Sequence, residues 1–306
     1  MIIQFPGKIN EGIKILGTPF LPIYLVMGKE EYALIEGGVR ALYPLLREQL
    51  SDLLIDTKRI SHLVMLHSHV DHTGIANLFK KDIPDLQLCA SEETAKAVAT
   101  EEVSPAIKKM EETIERFLNI KGNLKEIPPT PNRINIDKVL HEDEKISLGE
   151  DLTIEFFETP GHSPCSLSAY IPEQKALFVS DSAGLPLSSK LVFPMVFANF
   201  DKFVSSCEKL SKIDADIVCF GHFLALTGKD AKGVFLKILD ETIRMKELIL
   251  EKFAGVKDID AVITAMGKRY NKGYIKQLTQ VFFEGSARAI IKIILQQSRE
   301  EEDTVL

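Results

Sequence analysis

The chain has 306 residues, 45% of them apolar and 26% charged, a composition typical of a globular protein. This length is enough for one large domain with a smaller additional segment. Its formal net charge of −7 offers no attraction to nucleic acid or to an anionic membrane, and no apolar run reaches the roughly 20 residues of a membrane-spanning helix, so we expect neither partner. The start lacks a signal-peptide pattern and the four cysteines (Cys89, Cys165, Cys207 and Cys219) form no CxxC pair, which argues against disulfides and thiolate zinc and favours a cytoplasmic protein.

The N-terminal part of the chain alternates between strand-like and helix-like segments. The stretch from Phe20 to Val39 has two apolar runs around the turn-like GKEE, which predicts a hairpin. HLVMLH (His62 to His67) predicts a buried strand, and a helix is predicted from Gly74 to about Lys81. After the strand LQLCAS, Ser91 is placed to cap the next helix, and Pro105 begins another that runs to about Asn119.

The middle of the chain changes to a strand-rich pattern after a proline-rich loop at Ile127 to Asn135. The segments KVLHEDEKISL, LTIEFFET, SLSAYIP and KALFVSDS predict strands. A helix at about Asp201 to Lys212 precedes the strand DIVCFGH. This alternation indicates a layered α/β fold.

From Gly228 onward only helical periodicity remains. Apolar side chains recur at three- and four-residue steps, for example at Phe235, Ile238 and Leu239 and again at Ile290, Ile291 and Ile294. We therefore predict a domain boundary at about residue 227 and three helices after it. Their apolar faces would allow a homodimer.

The segment LHSHVDHTG (Leu66 to Gly74) holds three of the seven histidines of the chain, which is what a metal site would need. His67 and His69 are two residues apart, so in an extended loop they project to the same side and can bind one ion. Asp71 and His72 are adjacent and would diverge unless the loop turns. Such a turn would direct them to a second position nearby.

Three further ligand-type residues follow apolar strands downstream. His162 follows LTIEFFETPG, Asp181 follows ALFVS and His222 follows DIVCFG. Open α/β folds build their sites from strand ends, so we expect these residues to meet the histidine loop.

As an ordered set, these motifs resemble those of the metallo-β-lactamase superfamily, and within it the glyoxalase II-like hydrolases. The matching elements are HxHxDH at His67 to His72, TPGH ending at His162, SD ending at Asp181 and GH ending at His222. Glu36 in LIEGG stands where the family usually has an aspartate. The resemblance covers roughly residues 1 to 227 and implies a four-layer αββα sandwich as the catalytic domain, with residues 228 to 306 as a helical cap.

The resemblance also implies a site for two divalent metal ions. His67, His69 and His162 would bind the first ion, Asp71, His72 and His222 the second, and Asp181 would bridge them. Imidazole and carboxylate ligands suit zinc, iron or manganese without choosing among them. Two such ions can share a hydroxide that attacks a carbonyl or a phosphorus atom. Asp71 would either be a ligand alone or also pass a proton to the leaving group.

The favoured function is a dinuclear metal-dependent hydrolase that cleaves an ester or thioester of a small molecule. Three alternatives remain open: a small-molecule phosphodiesterase, a sulfur dioxygenase with one iron, and a metal-containing regulatory effector.

Several conspicuous residues have a plainer interpretation. His62 is expected at the surface or behind the ligands, and His141 in a solvated hairpin. The family commonly has glycine where GHSPCS has Cys165, and local packing explains the thiol better than a redox role. KRYNKGYIK (Lys268 to Lys276) is interpreted as a helix connection rather than as an anion-binding surface.

Overall fold

Two β-sheets packed face to face form the centre of the fold in the computed structural model, which describes residues 5–102, 104–118, 127, 131–188, 190–272 and 280–305. The strands of the first sheet are β1 (Gly7–Lys8), β2 (Ile13–Gly17), β3 (Pro22–Met27), β4 (Tyr32–Ile35), β5 (Ile60–Val64), β6 (Gln87–Ser91) and β7 (Lys138–Leu140). They lie side by side in chain order, antiparallel from β1 to β4 and parallel from β4 to β7.

The second sheet has the order β15-β14-β11-β10-β9-β8, and a separate hairpin is formed by β12 and β13. These strands are β8 (Lys145–Ser147), β9 (Thr153–Glu158), β10 (Leu167–Ile171), β11 (Ala176–Ser180), β12 (Leu185–Ser188), β13 (Leu191–Phe193), β14 (Ile217–Phe220) and β15 (Ala225–Thr227). Only β11 and β14 are parallel neighbours in this sheet.

Helices cover the outer faces of both sheets. The helices of the described residues are α1 (Tyr43–Asp52), α2 (Ala76–Asp82), α3 (Glu92–Val98), α4 (Pro105–Leu118), α5 (Phe200–Leu210), α6 (Lys229–Lys232), α7 (Val234–Val256), α8 (Ile259–Tyr270) and α9 (Gln280–Val305). In β11, Ala176 and Phe178 face the other sheet, whereas Leu177 and Val179 face the helical side. This alternation places one apolar layer between the sheets and others beneath the helices. The predicted αββα sandwich is therefore confirmed.

The predicted hairpin around His141 is wrong. KVLHEDEKISL forms β7 and β8, but β7 belongs to the first sheet and β8 to the second. His141 is solvent-exposed, as predicted, but lies where the chain crosses from one sheet to the other. Periodicity gave no sign of this crossing, because each half of the segment has the pattern of a strand.

The C-terminal helices pack onto the sandwich. Helix α7 contacts α5 and β13, and α9 contacts α5, α7 and α8. Ile290, Ile291 and Ile294 are fully buried within the single chain and share one apolar cluster with the first sheet. The boundary at residue 227 and the dimer through these helices stay predictions. Among the described residues, no helix is both long and apolar enough to cross a membrane.

Candidate metal centre

Four strand ends bring the predicted ligands to one edge of the sandwich. His67 follows β5, and Asp181 and His222 follow the parallel neighbours β11 and β14. His162 follows β9. A backbone hydrogen bond from Leu167 to the Leu66 carbonyl (2.8 Å) ties the histidine loop to the second sheet. The expectation that these strand ends meet at one edge is thus confirmed.

The histidine loop makes the turn that the sequence required. Residues Val70–His72 form a 3₁₀ turn in which the His72 amide donates to the His69 carbonyl at 2.9 Å. His67 and His69 precede the turn, and Asp71 and His72 lie within it. The turn therefore divides the motif between two adjacent positions.

The side chains form two groups of possible metal ligands. The first contains His67, His69, His162 and Asp181, and the second contains Asp71, His72 and His222; in each, the ligand atoms lie within 4.8 Å of one another. In the first group, His69 Nδ1 is 3.1 Å from His67 Nε2 and 3.0 Å from His162 Nε2. Two donors bound to one zinc ion at about 2.0–2.1 Å each would be about 3–4 Å apart, so this spacing fits a shared ion.

Asp181 links the two groups through a single oxygen. Its Oδ2 atom lies 3.8 Å from His67 Nε2 and 3.5 Å from His162 Nε2 on one side. On the other side it lies 3.6 Å from His72 Nε2 and 3.5 Å from His222 Nε2. Asp71 Oδ2 completes the second group at 3.7 Å from the same two nitrogens. This is the arrangement expected of a carboxylate between two ions.

The outer ring nitrogens of four histidines are held by acceptors behind the site. His72 Nδ1 pairs with Glu36 Oε2 at 2.6 Å, and His222 Nδ1 with the Phe20 carbonyl at 2.8 Å. His162 Nδ1 pairs with the Met195 carbonyl at 2.9 Å, and His67 Nδ1 with Ser180 Oγ at 3.2 Å. When the outer nitrogen donates, the inner one keeps a free lone pair. These contacts orient the rings as metal ligands require.

The electrostatics of the two groups differ. Burial lowers the pKa of His162 to about 3 and that of His67 well below its usual value, although Asp181 opposes both shifts. Burial would also lower the pKa of His72, but the carboxylates of Glu36, Asp71 and Asp181 raise it to about 10. Three carboxylates around one imidazole create a surplus of negative charge. A bound divalent metal ion would neutralise this negative charge.

Buried polar atoms without partners show that the residues fit a bound cation. Among the described residues, His72 Nε2 and Asp181 Oδ1 are buried and have no hydrogen-bond partner, which is costly unless something else satisfies them. The space is also closely bounded, since a Cβ on Gly221 would lie 2.6 Å from Asp181 Oδ1 and 2.9 Å from His72 Cε1. The chemistry of the donors, all imidazole and carboxylate, fits zinc, iron or manganese.

The family model of the metallo-beta-lactamase superfamily matches residues 20–222, which include all seven of these side chains. The chain belongs to the metallo-beta-lactamase superfamily. Together, the family and the two ligand groups identify a metallohydrolase with a dinuclear His/Asp site.

Solved structures of several other proteins share the fold. A metallo-beta-lactamase family protein from Thermus thermophilus is 20% identical, with a TM-score of 0.69 over 96% of this chain and 95% of the other. The FEZ-1 metallo-beta-lactamase from Legionella gormanii is 18% identical, with a TM-score of 0.57 over 80% and 96%. The rubredoxin oxygen:oxidoreductase from Desulfovibrio gigas is 16% identical, with a TM-score of 0.53 over 81% and 69%. At these identities the likeness concerns the fold alone.

Glu36 is a member of the centre that the sequence marked only as a departure from the superfamily pattern. It follows β4, has a positive φ of 79° and is 2% exposed. A non-glycine residue in this conformation is uncommon and points to a fixed role. Here that role is to hold the imidazole of His72 through the 2.6 Å hydrogen bond.

Replacing Glu36 with alanine is expected to weaken metal affinity by about 10- to 100-fold, because His72 would lose the acceptor that orients it. Glu36→Gln should be milder, since its amide oxygen can still accept from Nδ1. Competition with a chromogenic chelator would measure both. Glu31→Gln is the matched control, because Glu31 faces His62 at 3.7 Å outside the centre. Unchanged affinity in Glu36→Ala would contradict the assigned role.

Cys165 lies behind the histidine loop, Leu66 to Gly74, which we also call the metal loop, rather than in an open pocket. It is 5% exposed, and its Sγ is 3.3 Å from Ser68 Oγ and 3.1 Å from Ser163 Oγ. The thiol thus links the segment after His162 to the loop between His67 and His69. These contacts agree with the packing interpretation.

A pocket of about 310 Å³ opens beside the centre on the side of His69. Its walls come from the metal loop, the end of α3, α4 and the segment after residue 131, and many are apolar, including Val70, Val98 and Ile134. Helix α4 packs on the turn Val70–His72, and its residue Ile114 is buried. The sequence predicted α4 as a helix but gave no indication that it forms this wall.

Two other predicted features lie away from the centre. His62 contacts Ser61 Oγ at 2.7 Å and belongs to neither ligand group. Of KRYNKGYIK, residues 273–276 lie outside the described residues, while Arg269 and Tyr270 bind the buried carboxylate of Glu241. Arg269 is therefore occupied within the helical segment.

Proposed function

We propose that this protein hydrolyses an ester or thioester of a small molecule. The proposal is carried by one observation, the single Asp181 oxygen surrounded at 3.5–3.8 Å by four imidazole nitrogens beside a pocket of small-molecule size. The resemblance of the motifs to glyoxalase II-like hydrolases supports the same reaction class. We also propose that the two groups hold one zinc, iron or manganese ion each, with Asp181 between them.

When bound, the two ions supply a nucleophile at neutral pH and stabilise the negative charge that develops on the substrate carbonyl. The residues of the chain set up that chemistry. The Asp181 oxygen and the inner ring nitrogens of the histidines point towards one another. Glu36 and the backbone carbonyls behind the site hold the histidine rings in this orientation. Asp71, 8% exposed and in the second group, is placed to accept a proton and return it to the leaving alkoxide or thiolate.

The pocket favours a carboxylic ester over a nucleic acid. Its wall includes the acidic side chains of Glu102 and Glu111 together with one arginine, Arg40. Because acidic side chains repel phosphates, a polyanion is poorly suited to this surface. The formal net charge of −7 gives the same indication for the molecule as a whole.

A substrate panel on the metal-replete protein tests the proposal. Turnover of thioesters, esters or lactones should exceed that of bis-p-nitrophenyl phosphate. Faster cleavage of the phosphodiester would assign a phosphodiesterase instead. Oxygen uptake on a persulfide at one iron per chain would assign a sulfur dioxygenase. No turnover of any of these at full metal occupancy would refute the hydrolase and favour a regulatory effector.

A further inference from the structure

The pocket beside His69 contains two opposite charges that are not paired with each other. Arg40 comes from the 3₁₀ turn Arg40–Leu42, and Glu111 comes from α4. Both side chains are half-buried. Among the described residues, neither side chain makes a hydrogen bond or an ion pair.

The backbone just before Arg40 is hydrogen-bonded to the metal loop. The Gly74 amide donates to the Gly38 carbonyl at 2.7 Å, and the Ile75 amide donates to the Gly37 carbonyl at 2.9 Å. A Cβ on Gly74 would lie 2.6 Å from the Arg40 nitrogen, so the two segments are in direct contact. The start of the Arg40 side chain therefore has a defined position relative to His69.

Glu111 and Arg40 influence each other without forming a contact. Burial raises the pKa of Glu111, and the charge of Arg40 opposes that shift. The same is true of Glu115, one turn further along α4, which Glu111 also affects. Both charged side chains therefore line the same pocket without being paired with each other.

From this juxtaposition we propose that the pocket binds the zwitterionic headgroup of an amino acid, with its carboxylate at Arg40 and its ammonium at Glu111. This inference rests on the proposed function, and it names the substrate class: an ester or thioester whose far end carries an α-amino acid group. The headgroup joins two opposite charges through one carbon atom, so it can satisfy both side chains at once. The apolar residues of the pocket wall would contact the connecting methylenes.

Four methyl esters of similar length distinguish the contributions of the two charges to kcat/KM. γ-Methyl glutamate carries both charges, monomethyl glutarate only the carboxylate, methyl 4-aminobutyrate only the ammonium and methyl butyrate neither. A charge-assisted hydrogen bond changes binding by about 10- to 100-fold, so kcat/KM should be highest for γ-methyl glutamate and lowest for methyl butyrate. Arg40→Met should remove the advantage conferred by the carboxylate, and Glu111→Gln the advantage conferred by the ammonium. Equal kcat/KM values across the four esters would overturn the proposal.

A binding measurement makes the test independent of turnover. Glutamine and butyramide replace the ester by an amide, and calorimetry should show about 10-fold or greater preference for glutamine that either variant reduces. Glu112→Gln and Arg116→Met are the matched controls, because both side chains are exposed and pair with each other at 3.4 Å. Binding of glutamine that neither pocket variant changes would refute the headgroup site.

The two proposals fail separately. Glutamine preference that depends on Arg40 and Glu111, without hydrolysis of any ester, would support the headgroup site and refute the hydrolase. Ester hydrolysis without any charge preference would support the hydrolase and refute the headgroup site.

Discussion

Asp181→Asn is expected to lower kcat/KM on whichever ester proves active by at least about 10³-fold, a loss of about 4 kcal/mol in transition-state stabilisation. The reason is that one oxygen of Asp181 is shared by both ligand groups, at 3.5–3.8 Å from four imidazole nitrogens. An amide carries no charge and cannot balance two cations. Metal content should fall together with activity.

The control for this variant is Asp216→Asn, which removes a carboxylate that is paired with Lys232 at the surface. Exposed pairs of this kind contribute about 0–1 kcal/mol, so activity and metal content should stay near wild type. Steady-state kinetics and elemental analysis would be measured on the same preparations. Activity of Asp181→Asn within about threefold of wild type would contradict the shared-carboxylate assignment.

Gly161→Ala is expected to lower the free energy of unfolding by about 3–5 kcal/mol, through backbone strain and overpacking. Gly161 has φ 137°, and an added Cβ would lie 2.3 Å from Phe203 Cα, a backbone atom of α5. Its carbonyl accepts hydrogen bonds from the amides of Ala198 and Asn199, both at 3.1 Å. The alanine would push α5 away from the segment that carries His162.

Gly255→Ala is the matched control for this substitution. Gly255 lies in α7, and an added Cβ would meet nothing within 4 Å. Alanine at such a helical position should stabilise the protein by about 0.5–1 kcal/mol. Urea unfolding would measure the free energy of unfolding of both variants and of wild type. Equal stability of Gly161→Ala and wild type would contradict the prediction and show that the backbone can relax at this site.

The ligands could be found in the sequence because each lies directly after an apolar strand or within one dense motif. His67, His69, Asp71 and His72 share that motif, and the 3₁₀ turn that separates them was required by simple geometry. In contrast, the partner of His72 could not be derived from spacing. Glu36 lies in another strand, and only the parallel pairing of β4 with β5 brings the two side chains together.

The two charged residues of the pocket could not be found in the sequence for a related reason. Arg40 and Glu111 are far apart in the chain, and neither lies in a recognisable motif. Their proximity depends on the close contact at Gly74 and on α4 packing over the metal loop. Periodicity predicts which face of a helix is buried but not which element it packs against. The crossing between β7 and β8 escaped prediction because strand periodicity does not specify the sheet.

The proposed chemistry requires two ions held by the seven side chains. Elemental analysis of the protein, produced with zinc, iron and manganese present and then dialysed against metal-free buffer, tests this most directly. We expect about two divalent ions per chain in wild type, and fewer when Asp181 is replaced by asparagine. A stoichiometry of one or less in folded wild-type protein, unchanged by that substitution, would contradict the dinuclear centre.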